Sequence, residues 1–244
     1  MIKKMKQIYQ REQFNPTIFG VFINPFYFVR KGLYNHLSEL AKYVNGKVLD
    51  IGCGQKPYQG LFKCDEYIGL EIDTPENRKI KKADLFYDGK HIPLNDSSID
   101  WVIASEVFEH VFNPDEFLSE IQRVLKPDGG LLISVPFIWD EHEQPYDFAR
   151  YSSFGLKYLL TKHGFDIVEH RKINNGVEVI FQLVNCYLYK ILSFKIKNKY
   201  LKIFTISMLT APINLIGLFL SFILPKNNDL YLNNIILARK IKNV

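Results

Sequence analysis

The stretch Val48-Leu49-Asp50-Ile51-Gly52-Cys53-Gly54 decides the fold of this chain. Its first residues form a short apolar run that predicts a buried strand, and its last residues form a glycine-rich turn. A strand that runs directly into such a turn is typical of an open α/β sheet, in which a nucleotide-sized crevice forms at the carboxyl edge. The glycines allow the backbone to come close to a ligand, because a side chain there would fill the space.

Asp50, at the end of this predicted strand, narrows the class of ligand. A carboxylate here would repel the pyrophosphate of a dinucleotide, whereas it suits a ligand that carries positive charge. The following residues, Gln55-Lys56-Pro57-Tyr58, also lack the third glycine of the dinucleotide fingerprint. The sequence therefore favours a nucleoside-type ligand over a nicotinamide or flavin. The alternative is a tight connection that binds nothing.

Composition excludes several classes of protein. The chain has 244 residues, 47% hydrophobic and 14% aromatic, which suffices for one large α/β domain and argues against disorder. The net charge of +5 comes without a dense Lys/Arg stripe, so we expect no nucleic-acid partner. Three cysteines without paired spacing indicate a reducing, cytoplasmic location. We find no secretory signal and no metal-ligand spacing, and so expect no metal.

Apolar runs alternate with helical patterns through the central part of the chain, which predicts an α/β, doubly wound, mostly parallel sheet. The predicted strands are residues 47–51, 67–72, 81–85, 99–105, 131–135, 165–173 and 233–240, and the predicted helices are 27–43, 113–124 and 152–163. We divide the chain into an N-terminal arm and helix (1–46), a core (47–174), an apolar helical insertion (175–228) and a final strand (229–244).

Two acidic residues follow the second and third predicted strands. Glu71 stands 17 positions after Gly54, where an acid can accept hydrogen bonds from both hydroxyls of a ribose. Asp73 is a competitor for that role. Asp84 ends the third strand, where its side chain could reach an adenine amino group. Solvated acids at strand ends are the alternative for both Glu71 and Asp84.

The order of these segments resembles that of the class I S-adenosylmethionine-dependent methyltransferases, in particular their type 11 branch. The segments that carry the resemblance are Leu49–Gly54, Ile68-Gly69-Leu70-Glu71, Asp84-Leu85, residues 99–111 and Leu125-Lys126-Pro127-Asp128-Gly129-Gly130. The resemblance covers roughly residues 47–170. It implies a Rossmann-like seven-stranded sheet in which strand seven is antiparallel and lies between strands five and six. The apolar helical insertion between strands six and seven is predicted from the residues themselves.

The resemblance also implies a cofactor, S-adenosylmethionine, and the residues that hold it. The glycine loop would hold the methionine part, Glu71 the ribose and Asp84-Leu85 the adenine. The full implied set is Asp50, Gly52, Cys53, Gly54, Glu71, Ile72, Asp84, Leu85, Ser105 and Glu106. Lys56-Pro57 departs from the family, in which a third small residue is common at this place. The resemblance therefore does not predict the geometry of the loop here.

Two further segments resemble family members associated with bacterial surface-polysaccharide synthesis. One is Asn24–Leu33 together with Lys56-Pro57-Tyr58. The other is Pro136-Phe137 followed by His142, Pro145, Asp147, Arg150 and Tyr151. This resemblance would place the acceptor among glycans.

The segment after strand five lies at the edge of the sheet where open α/β folds bind substrates. We predict that His142 is a general base for an oxygen nucleophile, since a histidine ordinarily titrates near pH 6.5, and that Asp147 orients it. His110, Arg150 and Tyr151 are predicted to bind the substrate. The alternative is a structural loop in which Arg150 pairs with Asp147 and Tyr151 packs on the helix, with His110 as a helix-terminus residue.

Residues 179–194 and 203–224 are apolar and are separated by a lysine-rich turn. The second run has 22 residues without a charge, roughly 33 Å as a helix and nominally long enough to cross a membrane. Pro212, Asn214 and Gly217 weaken a straight span. A single span would also separate the final strand from its sheet. A hairpin on the inner surface of the membrane, a soluble lid and a homodimer surface avoid this problem.

The sequence thus predicts a methyltransferase that uses S-adenosylmethionine to methylate a small-molecule or glycan-type acceptor, with oxygen as the expected target atom. A lipid or quinone-like acceptor at the membrane surface is the alternative within enzymes. A non-catalytic, methyltransferase-like interaction subunit is the alternative of another class.

Overall fold

A computed structural model of the chain describes the backbone of residues 2–241 and the side chains of residues 7–241. It contains one seven-stranded sheet with the order β3-β2-β1-β4-β5-β7-β6, in which β7 is antiparallel. The strands are β1 (Lys47–Ile51), β2 (Glu66–Ile72), β3 (Leu85–Tyr87), β4 (Ile99–Ser105), β5 (Leu125–Pro136), β6 (Phe165–Asn175) and β7 (Tyr231–Lys240). This topology confirms the predicted Rossmann-like fold.

Eight α-helices accompany the sheet in the described part of the chain. They are α1 (Ile2–Phe14), α2 (Gly20–Ile23), α3 (Tyr27–Leu40), α4 (Asn77–Ile80), α5 (Pro114–Val124), α6 (Ser153–Lys162), α7 (Val177–Lys195) and α8 (Lys199–Ile223). The last two form the predicted helical insertion between β6 and β7. Short 3₁₀ turns cover Ala41–Tyr43, Gln59–Leu61 and Phe108–His110.

The chain divides into two compact units. The first contains the residues through His36, Ile138–Asp140 and Lys172–Asn233, and the second contains Leu37–Phe137, Glu141–Arg171 and the chain from Asn234.

The core of the second unit forms because the parallel strands are apolar along their whole length. β1 is buried from its second residue to its last, as expected for a strand covered on both faces. Helix α5 begins with Pro114 and carries Asp115 and Glu116 in its first turn, which suits the free N–H groups and positive dipole of a helix N-terminus. Its buried residues, Phe117, Leu118, Ile121 and Val124, form one face.

Two predicted strand starts are wrong. The third strand begins only at Leu85, because the lysines and Asp84 before it make turn contacts and not ladder contacts; Lys82 N donates to Gly54 O and Asp84 N to Gly69 O. Strand β5 begins at Leu125, six residues early, since Leu125 already pairs with Ile99. The predicted N-terminal arm is largely helical, as α1 and α2.

In the first unit, the buried face of α8 is more polar than its exposed face. Asn214 is fully buried and its Nδ2 donates to Val21 O (2.8 Å) and Asn24 O (3.2 Å), while Asn185 Nδ2 donates to Asn214 Oδ1 (2.8 Å). Gly217 allows close packing, since a Cβ there would lie 2.7 Å from Phe28 Cζ. The exposed large residues of α8 are Tyr200, Leu201, Phe204, Met208, Leu209, Leu215, Ile216, Phe219, Phe222 and Ile223.

Both α7 and α8 are long and apolar enough to cross a membrane, judged by length and composition. Of the three residues that weaken a span in the sequence, Asn214 and Gly217 are buried in the interior of the first unit, whereas Pro212 is exposed.

Candidate active site

The glycine turn after β1 leaves open space beside its backbone. Gly52 and Gly54 both have positive φ angles, +68° and +55°. A Cβ at Gly52 would lie 2.4 Å from Val107 Cγ2, whereas a Cβ at Gly54 would meet no atom within 4 Å. The Cys53 side chain is buried against Gly69. The turn therefore offers backbone, and the space beside Gly54, to a ligand.

Asp50 lies buried at the end of β1. Tyr67 Oη donates to its Oδ2 at 2.7 Å. Burial raises the pKa of Asp50 to about 7, an effect that the Tyr67 hydrogen bond opposes and the charge of Glu71 increases. Because burial penalises the carboxylate form, a cationic ligand group nearby would stabilise this residue in its charged state.

This raised pKa predicts how stability depends on pH. The folded protein holds the Asp50 proton more tightly than the unfolded chain, so Asp50 makes the free energy of unfolding fall as pH rises from about 4 to about 7. The Asp50→Asn variant lacks this loss. We expect its stability relative to wild type to increase by roughly 4 kcal/mol between pH 4 and pH 8, measured by urea unfolding without ligand.

Asp73→Asn is the control for this measurement. Arg78 binds the exposed Asp73 through two hydrogen bonds and lowers the pKa of that carboxyl. The stability of Asp73→Asn relative to wild type should therefore fall as pH rises, opposite to the change expected for Asp50→Asn. The prediction would be contradicted if the difference in free energy of unfolding between Asp50→Asn and wild type did not change with pH.

Glu71 stands at the carboxyl end of β2, next to the glycine turn. Its carboxylate is buried and its Oε1 accepts a hydrogen bond from Gly54 N at 2.6 Å. Lys81 Nζ lies 3.8 Å from the same oxygen. The glycine turn and Glu71, which the sequence predicts to bind the same ligand, are thus joined by a direct hydrogen bond.

Asp84 lies just before β3 and is tied to the neighbouring strand. Gly69 N donates to its Oδ2 at 2.7 Å, and Lys56 Nζ donates to the same oxygen. Although burial opposes ionisation, these hydrogen bonds hold the pKa of Asp84 below its ordinary value. Leu85 pairs with Leu70 in the ladder and Ile72 is partly exposed. Lys56, for which the sequence predicted no contact with Asp84, is therefore the partner of that residue.

Ser105 and Glu106 lie at the end of β4 and are linked to β5. The two strands pair Ser105 with Ser134, whose hydroxyls are 2.9 Å apart. Ser134 Oγ donates to Glu106 Oε1 at 2.8 Å, and Glu106 has a positive φ of 57°. A non-glycine residue in this conformation is uncommon and is often found at functional sites.

The turn after β4 buries a third carboxylate, that of Glu109. Its side chain is fully buried, and neither carboxylate oxygen has a hydrogen-bond partner among the described residues. His110 Nε2 and His142 Nε2 each lie 3.8 Å from its Oε1. Burial first and the charge of Glu106 second raise the pKa of Glu109 well above its ordinary value.

The loop after β5 is held against this turn by backbone contacts. Phe148 N and Ala149 N donate to the carbonyl of Glu109 at 2.9 and 3.2 Å. His110 Nδ1 lies 2.7 Å from the carbonyl of Tyr146. As a result the rings of His110 and His142 meet edge to face, with centroids 4.8 Å apart.

Asp147 organises the other side of His142. Arg150 binds both oxygens of this buried carboxylate, at 2.5 and 2.7 Å, and His142 N donates to Oδ2 at 2.9 Å. His142 Nδ1 lies 3.2 Å from Oδ2 and 3.5 Å from Arg150 Nη2. Burial opposes ionisation, but the hydrogen bonds from Arg150 and from His142 N, together with the charge of Arg150, lower the pKa of Asp147 to about 2.

Tyr151 lies apart from this cluster. Its ring packs against Phe108, with centroids 5.0 Å apart, and its carbonyl accepts a hydrogen bond from Asn234 Nδ2. The Tyr151 ring packs against Phe108 and the Arg150–Asp147 pair is formed. The predicted contact of Tyr151 with a substrate stays a prediction. The structure brings His110, His142 and Asp147 together around Glu109.

Sequence reasoning missed Glu109, the centre of this cluster, and Ser134, which binds Glu106. A signal for Glu109 was present. Glu106, Glu109 and His110 follow a buried strand directly, and on one helical turn the first residue neighbours the other two. No comparable signal marks Ser134, because its contact depends on the register between β4 and β5.

Comparisons with known proteins agree with this fold. Residues 49–133 match a family described as "Methyltransferase domain". A probable S-adenosylmethionine-dependent methyltransferase of Mycolicibacterium smegmatis is 30% identical over 142 residues, 53% of this chain and 55% of that protein. An uncharacterised protein of Methanocaldococcus jannaschii is 29% identical over 55% of this chain and 61% of its own length. The chain thus spans a little over half the length of these curated relatives.

A similar solved structure is that of a SAM-dependent methyltransferase from Archaeoglobus fulgidus. It covers 92% of this chain and 100% of its own, with a TM-score of 0.55 and 20% identity, and so supports the fold. Residues 49–133 thus match a methyltransferase family, and the fold agrees with a class I methyltransferase domain. The methyl donor that this match implies is S-adenosylmethionine.

The described residues fit that donor. The space beside Gly54 allows close approach of a ligand to backbone, Glu71 lies next to it, and the buried Asp50 carboxyl favours positive charge nearby. These features match a nucleoside joined to a cationic methionine.

Proposed function

We propose that this protein transfers a methyl group from S-adenosylmethionine to an oxygen atom of a small-molecule or glycan-type acceptor. The observation that carries the proposal is the cluster of Glu109, His110 and His142, which lies next to the glycine turn because Gly52 packs against Val107, three residues before His110. An oxygen nucleophile must lose a proton, and histidines beside buried carboxylates can assist that loss.

The donor supplies an already activated methyl group, so the protein contributes alignment and handling of the acceptor proton. Asp50, Gly52, Cys53 and Gly54 are proposed to hold the methionine part, Glu71 and Ile72 the ribose, and Asp84 and Leu85 the adenine. Ser105 and Glu106 would border the methyl group.

His142 is proposed as the group that receives the acceptor proton. The carboxylate of Asp147 lies 3.2 Å from His142 Nδ1, which favours a proton on that nitrogen. Nε2 is then the nitrogen that can take up a proton from the substrate hydroxyl. His110 and Arg150 would contact the acceptor. The assignment to surface-polysaccharide synthesis is supported by the resemblance of residues 24–33 and 136–151 to family members.

A donor-dependent screen tests the proposed function. Methyl transfer from labelled S-adenosylmethionine would be measured against sugar nucleotides, glycans and isoprenoid lipids. We expect turnover on a hydroxyl-bearing glycan-type acceptor, with a large loss of single-turnover rate in His142→Ala. Full rate in that variant would contradict the base assignment, and absence of donor binding by calorimetry would support the non-catalytic subunit.

A lipid or quinone-like acceptor is the second candidate, and one observation favours it. Helix α8 directs Thr210, Asn214 and Gly217 inward, while its large apolar residues are exposed, with Phe219 64% and Phe222 88% exposed. Such a polar-inside, apolar-outside arrangement suits contact with hydrocarbon. We therefore propose that the protein is cytoplasmic and binds the inner face of the membrane through residues 179–224.

The turn between α7 and α8 agrees with this proposal. Four lysines lie in this turn or in the adjoining helix ends, Lys195, Lys197, Lys199 and Lys202. Each lysine near an anionic surface contributes about 1 kcal/mol to binding. The hairpin would thus combine apolar burial with attraction to anionic headgroups.

Vesicle flotation tests the membrane proposal. The wild-type protein should float with vesicles containing an anionic lipid, and Phe219→Ser/Phe222→Ser should reduce the bound fraction at least tenfold, since two large apolar side chains are lost. Phe154→Ser, at the 82% exposed Phe154 of α6, is the control and should float like wild type. A wild-type protein that stays off vesicles and forms dimers that the double variant abolishes would show a homodimer surface instead.

A further inference from the structure

We propose that Glu109, His110 and His142 form a binding site for a divalent first-row metal ion. The binding site itself stands on the geometry of these three side chains, and its role in catalysis rests on the proposed function. The sequence predicted no metal, because the two histidines are 32 positions apart and the loop after β5 brings them together.

The three ligand atoms converge on one point. His110 Nε2 and His142 Nε2 each lie 3.8 Å from Glu109 Oε1, and all three atoms lie within 4.8 Å of one another. An ion held at about 2.1 Å from each would need ligand atoms about 3 to 3.4 Å apart. Shifts of under about 1 Å in each side chain meet that requirement.

In both histidines Nδ1 faces away from Glu109 and is held by a neighbouring oxygen, so that Nε2 can act as the metal ligand. The Tyr146 carbonyl can only accept a hydrogen bond, so the contact of 2.7 Å places a proton on His110 Nδ1. His142 Nδ1 faces the Asp147 carboxylate at 3.2 Å. A carbonyl or carboxylate behind a ligating histidine is the usual second layer of a metal site, because it sets the tautomer and the ring orientation.

The buried Glu109 carboxylate points independently to a cation. It is fully buried, and both of its oxygens lack a hydrogen-bond partner among the described residues. Leaving such a group unsatisfied costs a protein free energy. Arg150, the nearby guanidinium, binds Asp147 with both terminal nitrogens. A bound ion would satisfy Glu109 directly.

The donor set indicates the kind of ion. Two imidazoles and one carboxylate suit Mn²⁺, Fe²⁺, Co²⁺ or Zn²⁺ better than Mg²⁺, which prefers oxygen ligands and keeps its waters. The His110 and His142 side chains are 18% and 31% exposed, so an ion has access from solvent. Three protein ligands also leave coordination positions open for an acceptor.

In catalysis such an ion would bind the acceptor hydroxyl and lower its pKa, so that the proton leaves to solvent. The acceptor oxygen then forms a bond to the methyl carbon, the carbon–sulfur bond breaks, and its electron pair stays on sulfur. In this arrangement His142 is a ligand and no longer the base. The two roles make different predictions for chelator-treated enzyme.

Metal binding by the full chain tests the site without any donor or acceptor. Chelator-treated protein would be incubated with Zn²⁺, Mn²⁺ or Mg²⁺ separately, desalted and analysed for bound metal, and its melting temperature recorded with each ion. We expect about one equivalent of Zn²⁺ or Mn²⁺, little Mg²⁺, and a metal-dependent rise in melting temperature. Glu109→Gln and His110→Gln should each lose the bound metal and the rise.

His91→Gln is the matched control, because His91 also pairs with a carboxylate, that of Glu120 at 3.2 Å, but is exposed. It should bind metal like wild type. Donor binding, measured by calorimetry on the same samples, separates the two proposals. Wild-type protein that binds S-adenosylmethionine but none of the ions, or variants that retain the full equivalent, would overturn the metal site alone. Chelator-insensitive methyl transfer would overturn its catalytic role.

Discussion

Gly54→Ala should weaken binding of S-adenosylmethionine at least a hundredfold while lowering the free energy of unfolding by only about 1 to 2 kcal/mol. The reason is the place to which the new methyl group points. A Cβ at Gly54 meets no protein atom within 4 Å, so the variant has room to fold. The methyl group occupies the space into which the donor must come, next to the Glu71 carboxylate that Gly54 N binds at 2.6 Å.

Calorimetric titration with the donor, together with urea unfolding, checks this expectation. Gly60→Ala is the matched control, because its Cβ also meets nothing within 4 Å and its φ is not positive; it should bind the donor like wild type. Gly52→Ala should instead lose stability, since its Cβ would lie 2.4 Å from Val107 Cγ2. Donor affinity of Gly54→Ala within threefold of wild type would show that the donor lies elsewhere.

The arrangement of the residues proposed to hold the cofactor was predictable because it depends on local sequence. The strand β1, its turn and the acids Glu71 and Asp84 are each marked by an apolar run that ends in glycine or acid. In a parallel sheet all such ends meet at one edge, so the strand order in sequence predicts their proximity. The structure confirms that proximity through the hydrogen bonds from Gly54 to Glu71 and from Gly69 to Asp84.

The acceptor half was less predictable because its contacts are not local. Glu109 and His142 come together only because Phe148 and Ala149 bond to the Glu109 carbonyl, and no periodicity in the sequence announces such loop contacts. The same holds for α8, where Asn214 and Gly217 read as defects in an apolar span. Their inward hydrogen bonds and packing are visible only once Val21, Asn24 and Phe28 are in place.

Element boundaries failed for a related reason. Lys81, Lys82 and Asp84 lie between turns and were predicted to be part of a strand. Their backbone N–H groups donate instead to the carbonyls of Asn77, Gly54 and Gly69, respectively. The ladder with β2 begins at Leu85. Competition between a turn and a ladder is settled by tertiary contacts, to which local propensity is a weak guide.

Arg150→Leu should be among the most destabilising single changes in the second unit, with a loss of about 3 kcal/mol or more in the free energy of unfolding. Arg150 binds both oxygens of Asp147, whose side chain is only 3% exposed. Removing the guanidinium leaves a buried carboxylate without its cation. Arg78→Leu is the control, since Arg78 makes the same two-pronged contact with Asp73 on an exposed surface. Its loss of stability should be much smaller than that of Arg150→Leu, because solvent screens the exposed pair.

The double variant Asp147→Leu/Arg150→Leu separates stability from function. With both charges gone, no buried ion is left unpaired, so urea unfolding should show recovery of at least half of the lost stability. Methyl transfer should stay at least tenfold below wild type, because His142 Nδ1 no longer has the Asp147 carboxylate that lies 3.2 Å away. Recovery of both stability and rate would mean that the pair only packs the loop. If Arg150→Leu lost as little stability as Arg78→Leu, the Arg150–Asp147 pair would be open to solvent.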